Sequence, residues 1–89
     1  FKIYSRDKTP YTDIICGKSQ EVFSSRDLGF AIVTIHDKTT SHQHMHTEEI
    51  YFILKGKGIL TIGHESASVQ EGDLIPIPIG QFHELKNTS

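Results

Sequence analysis

Histidine and glutamate side chains, which bind transition metals, are concentrated in one short stretch containing His42, His44, His46 and Glu49. Side chains in a β-strand alternate between its two faces, so His42 and His44 would point the same way and could reach one ion. Glu49 opens the apolar run 50–54, where an ionised carboxylate is costly to desolvate unless a cation lies beside it. The pattern therefore indicates a metal site with two imidazoles and one carboxylate.

A second segment, residues 72–83, contains two prolines in an otherwise strand-like stretch. Proline cannot donate a hydrogen bond to a sheet, so Pro78 and Gly80 predict that one strand ends there in a tight turn. The next strand would start close to His83. His83 could then face Glu49 across a barrel.

Short β-strands are the elements that would position these residues. Runs rich in Ile, Val, Phe, Tyr and Thr recur along the chain, whereas convincing helical spacing of apolar residues is missing. Gly63 and Gly72 mark two of the predicted chain reversals. The predicted strands are 2–4, 14–16, 30–36, 49–54, 58–62, 67–70, 74–77 and 82–86. This arrangement favours an all-β sandwich or barrel.

Composition narrows the classes of partner. The 89 residues suit one domain with a modest core, which a metal or a second copy of the chain would help to stabilise. The net charge of −2 comes from well-mixed charged residues, so neither nucleic acid nor a membrane surface is an expected partner. Cys16 has no second cysteine for a disulfide, and no apolar run approaches the ~20 residues of a membrane span. Without a signal-peptide pattern, we expect a cytoplasmic protein.

Taken together, the two segments resemble the paired motifs of the cupin superfamily, over about residues 30–87. The first motif has the family spacing at His42, His44, Glu49 and Gly56. The second motif is matched at Gly72, Pro78, Gly80, His83 and Asn87. The resemblance to small type 2 cupins implies a double-stranded β-helix, or jelly-roll barrel. It also implies one metal ion with four protein ligands, which are His42, His44, Glu49 and His83.

The resemblance also sets expectations for the rest of the chain. His36 stands where the family usually has a glycine, so we expect a different turn before the first motif. Residues 1–89 are interpreted as one cupin domain that could lack strands at both ends, since related domains usually continue past the second motif and Phe1 is not a methionine. His46 matches no ligand position, which favours a solvated role or a role behind the ligands.

The strand pattern around Glu49 leads to expectations about a pocket and about assembly. Residues 49, 51 and 53 would face the metal, and the apolar side chains at 50, 52 and 54 would face outward. Three apolar side chains in a row are unfavourable in water unless another surface buries them. A second copy of the chain could do so, and we therefore expect a homodimer. Aromatic side chains in strands are as often core as pocket, and both interpretations stay open. The candidates for a substrate pocket are Tyr51, Gln81 and Phe82.

The types of the four expected ligands limit which metal ions could bind and which reactions they could support. Three imidazoles and one carboxylate suit Fe, Mn, Ni, Co or Zn as divalent ions, whereas Mg and Ca prefer oxygen ligands. Four protein ligands would leave one or two positions of an octahedral ion open to water, dioxygen or a chelating molecule. One hypothesis is an enzyme for a small oxygenated or anionic substrate, either a dioxygenase-type oxidoreductase or a lyase or isomerase. The alternative is a non-catalytic ligand-binding or sensory module with a structural metal.

Overall fold

Eight β-strands and one 3₁₀ turn form the regular structure, which a computed structural model describes for all residues from Phe1 to Ser89. The 3₁₀ turn covers Arg6–Lys8, and the chain contains no helix long and apolar enough to cross a bilayer. The strands are β1 (Thr12–Ile14), β2 (Gly17–Ser24), β3 (Gly29–Ile35), β4 (Glu49–Phe52), β5 (Lys57–Ile62), β6 (Glu65–Gln70), β7 (Leu74–Ile77) and β8 (His83–Asn87). The sequence-based prediction of an all-β chain is confirmed.

Residues Phe1–His36 form the first of two compact units, a three-stranded antiparallel sheet in the order β1-β2-β3. Gly17 opens β2 in close contact with β3, where a Cβ atom would overlap the carbonyl oxygen of Thr34. The buried Gln20 side chain donates to the carbonyl oxygens of Arg6 and Thr9, at 3.0 and 2.9 Å. These bonds hold the 3₁₀ turn against β2.

The strand prediction is wrong for part of this first unit. Residues 2–4 form no strand, and residues 14–16 include only the last residue of β1. The eight-residue strand β2 (Gly17–Ser24) is missing from the prediction. Its first half, Lys18 to Glu21, is polar and therefore carries little hydrophobic signal. Pairing with the apolar strand β3 makes this segment a strand.

Residues Asp37–Ser89 form the second unit, which has a two-stranded sheet, β4-β7, and a three-stranded sheet in the order β6-β5-β8. The predicted reversals at Gly63 and Gly72 are confirmed, and both glycines have positive φ angles, 59° and 92°. The core of the unit consists of the buried side chains Leu60, Val69 and Ile77. Half-buried apolar residues pack around them, namely Tyr51, Ile53, Ile62, Ile75 and Leu85.

Strand β4 and the two residues after it, Ile53 and Leu54, present two different faces, as the sequence predicts. The side chains of Tyr51 and Ile53 pack against the core, whereas Ile50, Phe52 and Leu54 are exposed. Antiparallel pairing with β7 places Glu49 opposite Ile77 and therefore at the core end of the strand. This register directs the Glu49 carboxylate toward the same interior as Tyr51.

Candidate metal centre

Backbone pairing brings the two histidine-bearing segments together. His42 and His83 form an isolated antiparallel bridge, in which the N–H of each donates to the carbonyl oxygen of the other, at 3.1 and 2.8 Å. The segment before His42 is held along β8 as well, because the Thr39 hydroxyl accepts a hydrogen bond from the N–H of Leu85 at 2.9 Å. The position of His42 relative to β8 is therefore fixed by the main chain.

All four residues predicted as metal ligands converge in the structure. One side-chain donor atom from each of His42, His44, Glu49 and His83 lies within 4.8 Å of the others. The Oε1 atom of Glu49 is 3.2 Å from Nε2 of His83 and 3.5 Å from Nε2 of His44. The rings of His42 and His83 meet edge to face, with 4.1 Å between their centroids. This group could hold a metal ion.

The ring hydrogen bonds indicate which nitrogen atoms are available to a metal. Nδ1 of His42 lies 2.7 Å from the carbonyl oxygen of Thr40, and Nδ1 of His83 lies 3.1 Å from that of Gln81. A carbonyl oxygen can only accept, so both Nδ1 atoms must carry the proton. In neutral rings, Nε2 of each histidine then has a free lone pair, which is the form that binds a metal.

The contact between Glu49 and His83 joins two groups that both accept hydrogen bonds. Oε1 of Glu49 and Nε2 of His83 are buried without a hydrogen-bond donor, although they lie only 3.2 Å apart. Two buried acceptors at this distance are unfavourable unless a proton or a cation lies between them. Because ligand atoms of two further imidazoles lie in the same place, a metal cation satisfies more of these atoms than one proton would.

The dimensions of the cluster are close to those of a transition-metal site. Metal bonds of about 2.0–2.2 Å place ligand atoms no more than about 4.4 Å apart across the ion. The four ligand atoms lie within 4.8 Å of one another, so small side-chain rotations would bring them to these distances. One carboxylate and three imidazoles also form the mixed oxygen and nitrogen set that such ions prefer.

The site is enclosed on one side and open on the other. The His83 side chain is 1% exposed, whereas those of Glu49 and His44 are 32% and 44% exposed. Ile62 pairs with His83, and Ile77 pairs with Glu49, so apolar residues adjoin the buried side. An ion bound here would have its accessible side next to His44 and Glu49.

The other residues singled out in the sequence lie in different surroundings. Tyr51 contacts the cluster, since its ring centroid is 5.8 Å from that of His83. Phe82 is exposed, and the side chain of Gln81 lies against Gly63 at the β5–β6 hairpin. His46 is exposed and is not among the four converging residues. Of the three pocket candidates, Tyr51 meets the cluster through its ring, and Gln81 meets it through the main-chain carbonyl oxygen that bonds Nδ1 of His83.

Sequence reasoning missed the groups that orient the ligands. The carbonyl oxygens of Thr40 and Gln81 fix the rings of His42 and His83, and the Thr39 hydroxyl fixes the segment that carries His42. Main-chain oxygens belong to every residue, so they leave no signal in the sequence. In both rings, however, the acceptor is the carbonyl two residues earlier, which is a regularity that could be sought in advance.

A shallow groove of about 610 Å³ lies elsewhere on the second unit, between the surfaces of β5 and β6. Exposed side chains such as Lys57, Ser68 and Gln70 line much of it. The groove contains none of the four clustered residues. The geometry of the histidine cluster, rather than the size of this groove, therefore identifies the candidate site.

Comparison with known proteins identifies the family of this chain. Residues 30–89 match the sequence profile described as a cupin domain, Cupin_2, and the chain belongs to this family. The uncharacterised protein MJ1618 of Methanocaldococcus jannaschii is 42% identical over 62 residues, which are 70% of this chain and 50% of that protein. The chain thus spans about half the length of this relative.

Solved structures show the same fold. KdgF from a Halomonas species has a TM-score of 0.88 at 20% identity, covering 97% of this chain and 82% of that one. A cupin-2 domain protein from Shewanella frigidimarina has a TM-score of 0.71 at 20% identity, covering 80% and 70%. The predicted cupin jelly roll is therefore confirmed.

Proposed function

We propose that the chain binds one divalent transition metal through His42, His44, Glu49 and His83, and that it is a metal-dependent enzyme for a small oxygenated or anionic substrate. The contact between the buried acceptors of Glu49 and His83, 3.2 Å apart, carries this proposal. The protons on Nδ1 of His42 and His83 support it, because they leave both Nε2 atoms free to donate to an ion.

Charge favours an oxygen-rich substrate. Glu49 is the single carboxylate of the group, so a divalent ion would keep a net positive charge beside the apolar residues Ile62 and Ile77. Electrostatic attraction is strong next to such a poorly polarisable wall, so anions and chelating oxygens would be drawn to the open side. Tyr51, next to His83, is the residue we propose for the wall of the substrate pocket.

The reaction type depends on the ion. When bound, iron would supply oxygen chemistry of the dioxygenase type, whereas zinc, nickel, cobalt or manganese would supply Lewis acidity for a lyase or isomerase. The protein's part is the same in either case: three imidazoles and one carboxylate hold the ion, and the side near His44 admits the substrate. We also propose a cytoplasmic location, since Cys16 has no disulfide partner and a reducing compartment keeps iron ferrous.

Metal analysis and oxygen uptake test this proposal. The purified protein is expected to contain about one equivalent of metal, and His83→Ala is expected to lose most of it. Anaerobic reconstitution with Fe²⁺ or Zn²⁺, followed by a panel of small keto acids, diketones and uronic acids, then separates the two reaction types. Oxygen consumption with iron alone supports the dioxygenase type, and turnover with zinc supports the lyase or isomerase. Wild-type protein that binds none of these ions would refute the metal site.

The small core favours a second candidate function. Leu60, Val69 and Ile77 are the buried apolar residues of the chain, so an ion that joins β4, β8 and the segment at His42 would add much to stability. The chain would then be a ligand-binding or sensory module in which the metal is structural. Bound metal with no turnover on any tested compound, combined with saturable binding of one of them, would favour this candidate.

We further propose a homodimer formed through the outer face of β4 and β7. Ile50, Phe52, Leu54 and Leu74 are 64%, 55%, 50% and 57% exposed, and β4–β7 pairing places Phe52 directly opposite Leu74. This face carries no charged side chain at these positions, so a two-fold axis would bring apolar groups onto apolar groups without like-charge repulsion. We therefore propose that a second copy of the chain buries this apolar face.

A further inference from the structure

We infer that Gly80 is a positioning residue for His44, acting through its backbone N–H, and this inference rests on the proposed metal centre. The N–H of Gly80 donates to the carbonyl oxygen of His44 at 2.8 Å. Gly80 lies in the turn between β7 and β8, two residues after Pro78 and three before His83. The turn that introduces one ligand would therefore also hold another.

His44 depends on this bond more than the other two histidines do. The rings of His42 and His83 are each fixed by a carbonyl oxygen, and their main chains bond to each other. His44 is the most exposed of the four residues, and its ring nitrogen Nε2 lies 3.5 Å from the Glu49 carboxylate oxygen. Its main-chain bond to Gly80 is the fixed contact that sets its direction.

The bond requires a residue with a left-handed backbone. Since His42 pairs with His83, a regular antiparallel ladder would place residue 81 opposite His44. Instead the donor is Gly80, one residue earlier, and its φ angle is +78°. Glycine adopts this conformation without strain, whereas a β-branched residue is a severe outlier there. A valine would therefore turn the N–H away from His44.

The chain contains a matched control in Gly72. This glycine also has a positive φ angle, +92°, and its N–H likewise donates to a carbonyl oxygen, that of Ile53, at 2.8 Å. A Cβ atom at either glycine would meet no atom within 4 Å, so steric overlap would not distinguish substitutions at the two sites. Gly72 lies in the β6–β7 turn, and the residue that accepts its hydrogen bond, Ile53, is not one of the four clustered residues.

Co²⁺ binding, measured by competition with a coloured chelator, tests the inference on Gly80→Val and Gly72→Val. Both variants should unfold at similarly lower urea concentrations than the wild type. Gly80→Val is expected to bind Co²⁺ more weakly by roughly 10-fold or more, the range seen when groups supporting a ligand are removed. Gly72→Val should stay within about twofold of the wild type. Gly80→Asn should recover most of the affinity, because asparagine tolerates the left-handed conformation.

The controls separate this inference from the metal site itself. Wild-type protein and His44→Ala are titrated in parallel: if the wild type does not bind Co²⁺, the proposed function fails. If the wild type binds and His44→Ala does not, but Gly80→Val binds as well as Gly72→Val, only the role of Gly80 is refuted. Should Gly80→Val not fold, the same comparison is made with Gly80→Ala and Gly72→Ala. Cobalt absorption bands altered by the Gly80 substitution alone would support the inference independently.

Discussion

Replacing Glu49 by glutamine should have opposite effects on the metal-free and the metal-bound protein. In the metal-free protein, the carboxylate oxygen of Glu49 faces the lone pair of His83 at 3.2 Å, and both atoms are buried acceptors. The glutamine amide can donate across the same distance and turn this contact into a hydrogen bond. Glu49→Gln should therefore stabilise the metal-free fold.

The magnitude follows from the burial of the pair. An unpaired buried polar atom costs about 1–3 kcal/mol. Because the Glu49 side chain is 32% exposed and partly screened by water, we take the lower end, about 1 kcal/mol. For a domain of this size, such a change corresponds to a rise in Tm of about 4–8 °C.

The same substitution removes an anionic ligand, so metal stabilisation should largely disappear. At a metal concentration about 100 times Kd, binding stabilises the wild type by about 2.7 kcal/mol. A loss of about 100-fold in affinity reduces this to about 0.4 kcal/mol at the same concentration. Calorimetry with EDTA or with excess Zn²⁺ measures both effects.

Glu48→Gln is the matched control, because Glu48 is exposed, adjoins Glu49 and is not part of the cluster. Its Tm should hardly change with or without zinc. A lower Tm for metal-free Glu49→Gln would show that His83 carries a proton accepted by Glu49, and would refute the argument from two facing acceptors. An unchanged zinc effect would remove Glu49 from the ligand set.

Three further outcomes are expected. His46→Ala should leave one metal per chain by elemental analysis, since His46 lies outside the cluster, and loss of metal would make it a ligand. Phe52→Lys should change the protein from a dimer to a monomer, because it puts a charge into the exposed apolar face. Sedimentation at micromolar concentration measures this, and a monomeric wild type would contradict the proposed dimer. Leu60→Ala should lower the free energy of unfolding by about 2–5 kcal/mol, because it deletes a buried core side chain. Urea titration measures this change, and a loss below about 1 kcal/mol would show that Leu60 is not tightly packed.

The second unit was largely predictable because its sequence alternates clearly. Residues at 50, 52 and 54 are exposed and Tyr51 and Ile53 pack on the core, as the two-residue period of a strand requires. The convergence of His42, His44, Glu49 and His83 was predictable from their spacing and from the resemblance to cupin motifs. Their role as metal ligands is still a prediction.

The strands of the first unit, and the main-chain bonds that orient the metal-site residues, were harder to predict from the sequence. The first half of β2 has polar side chains, so its strand depends on pairing with β3, which a local pattern does not contain. The bond from Gly80 to His44 depends on a one-residue change of register near the turn. Spacing identifies which residues can meet, whereas main-chain geometry decides how they are oriented.

The distance along the chain between Glu49 and His83 has a consequence for the lifetime of the protein. These residues are 83 − 49 = 34 positions apart, yet their side chains meet at 3.2 Å. An ion bound to both would join the two ends of this loop in the folded chain alone, so its binding free energy would add to the stability of the fold. Such a link can form in a reducing compartment, where a disulfide would not persist. If the proposed site binds a metal, the metal-free protein is expected to be the form that proteases degrade more readily.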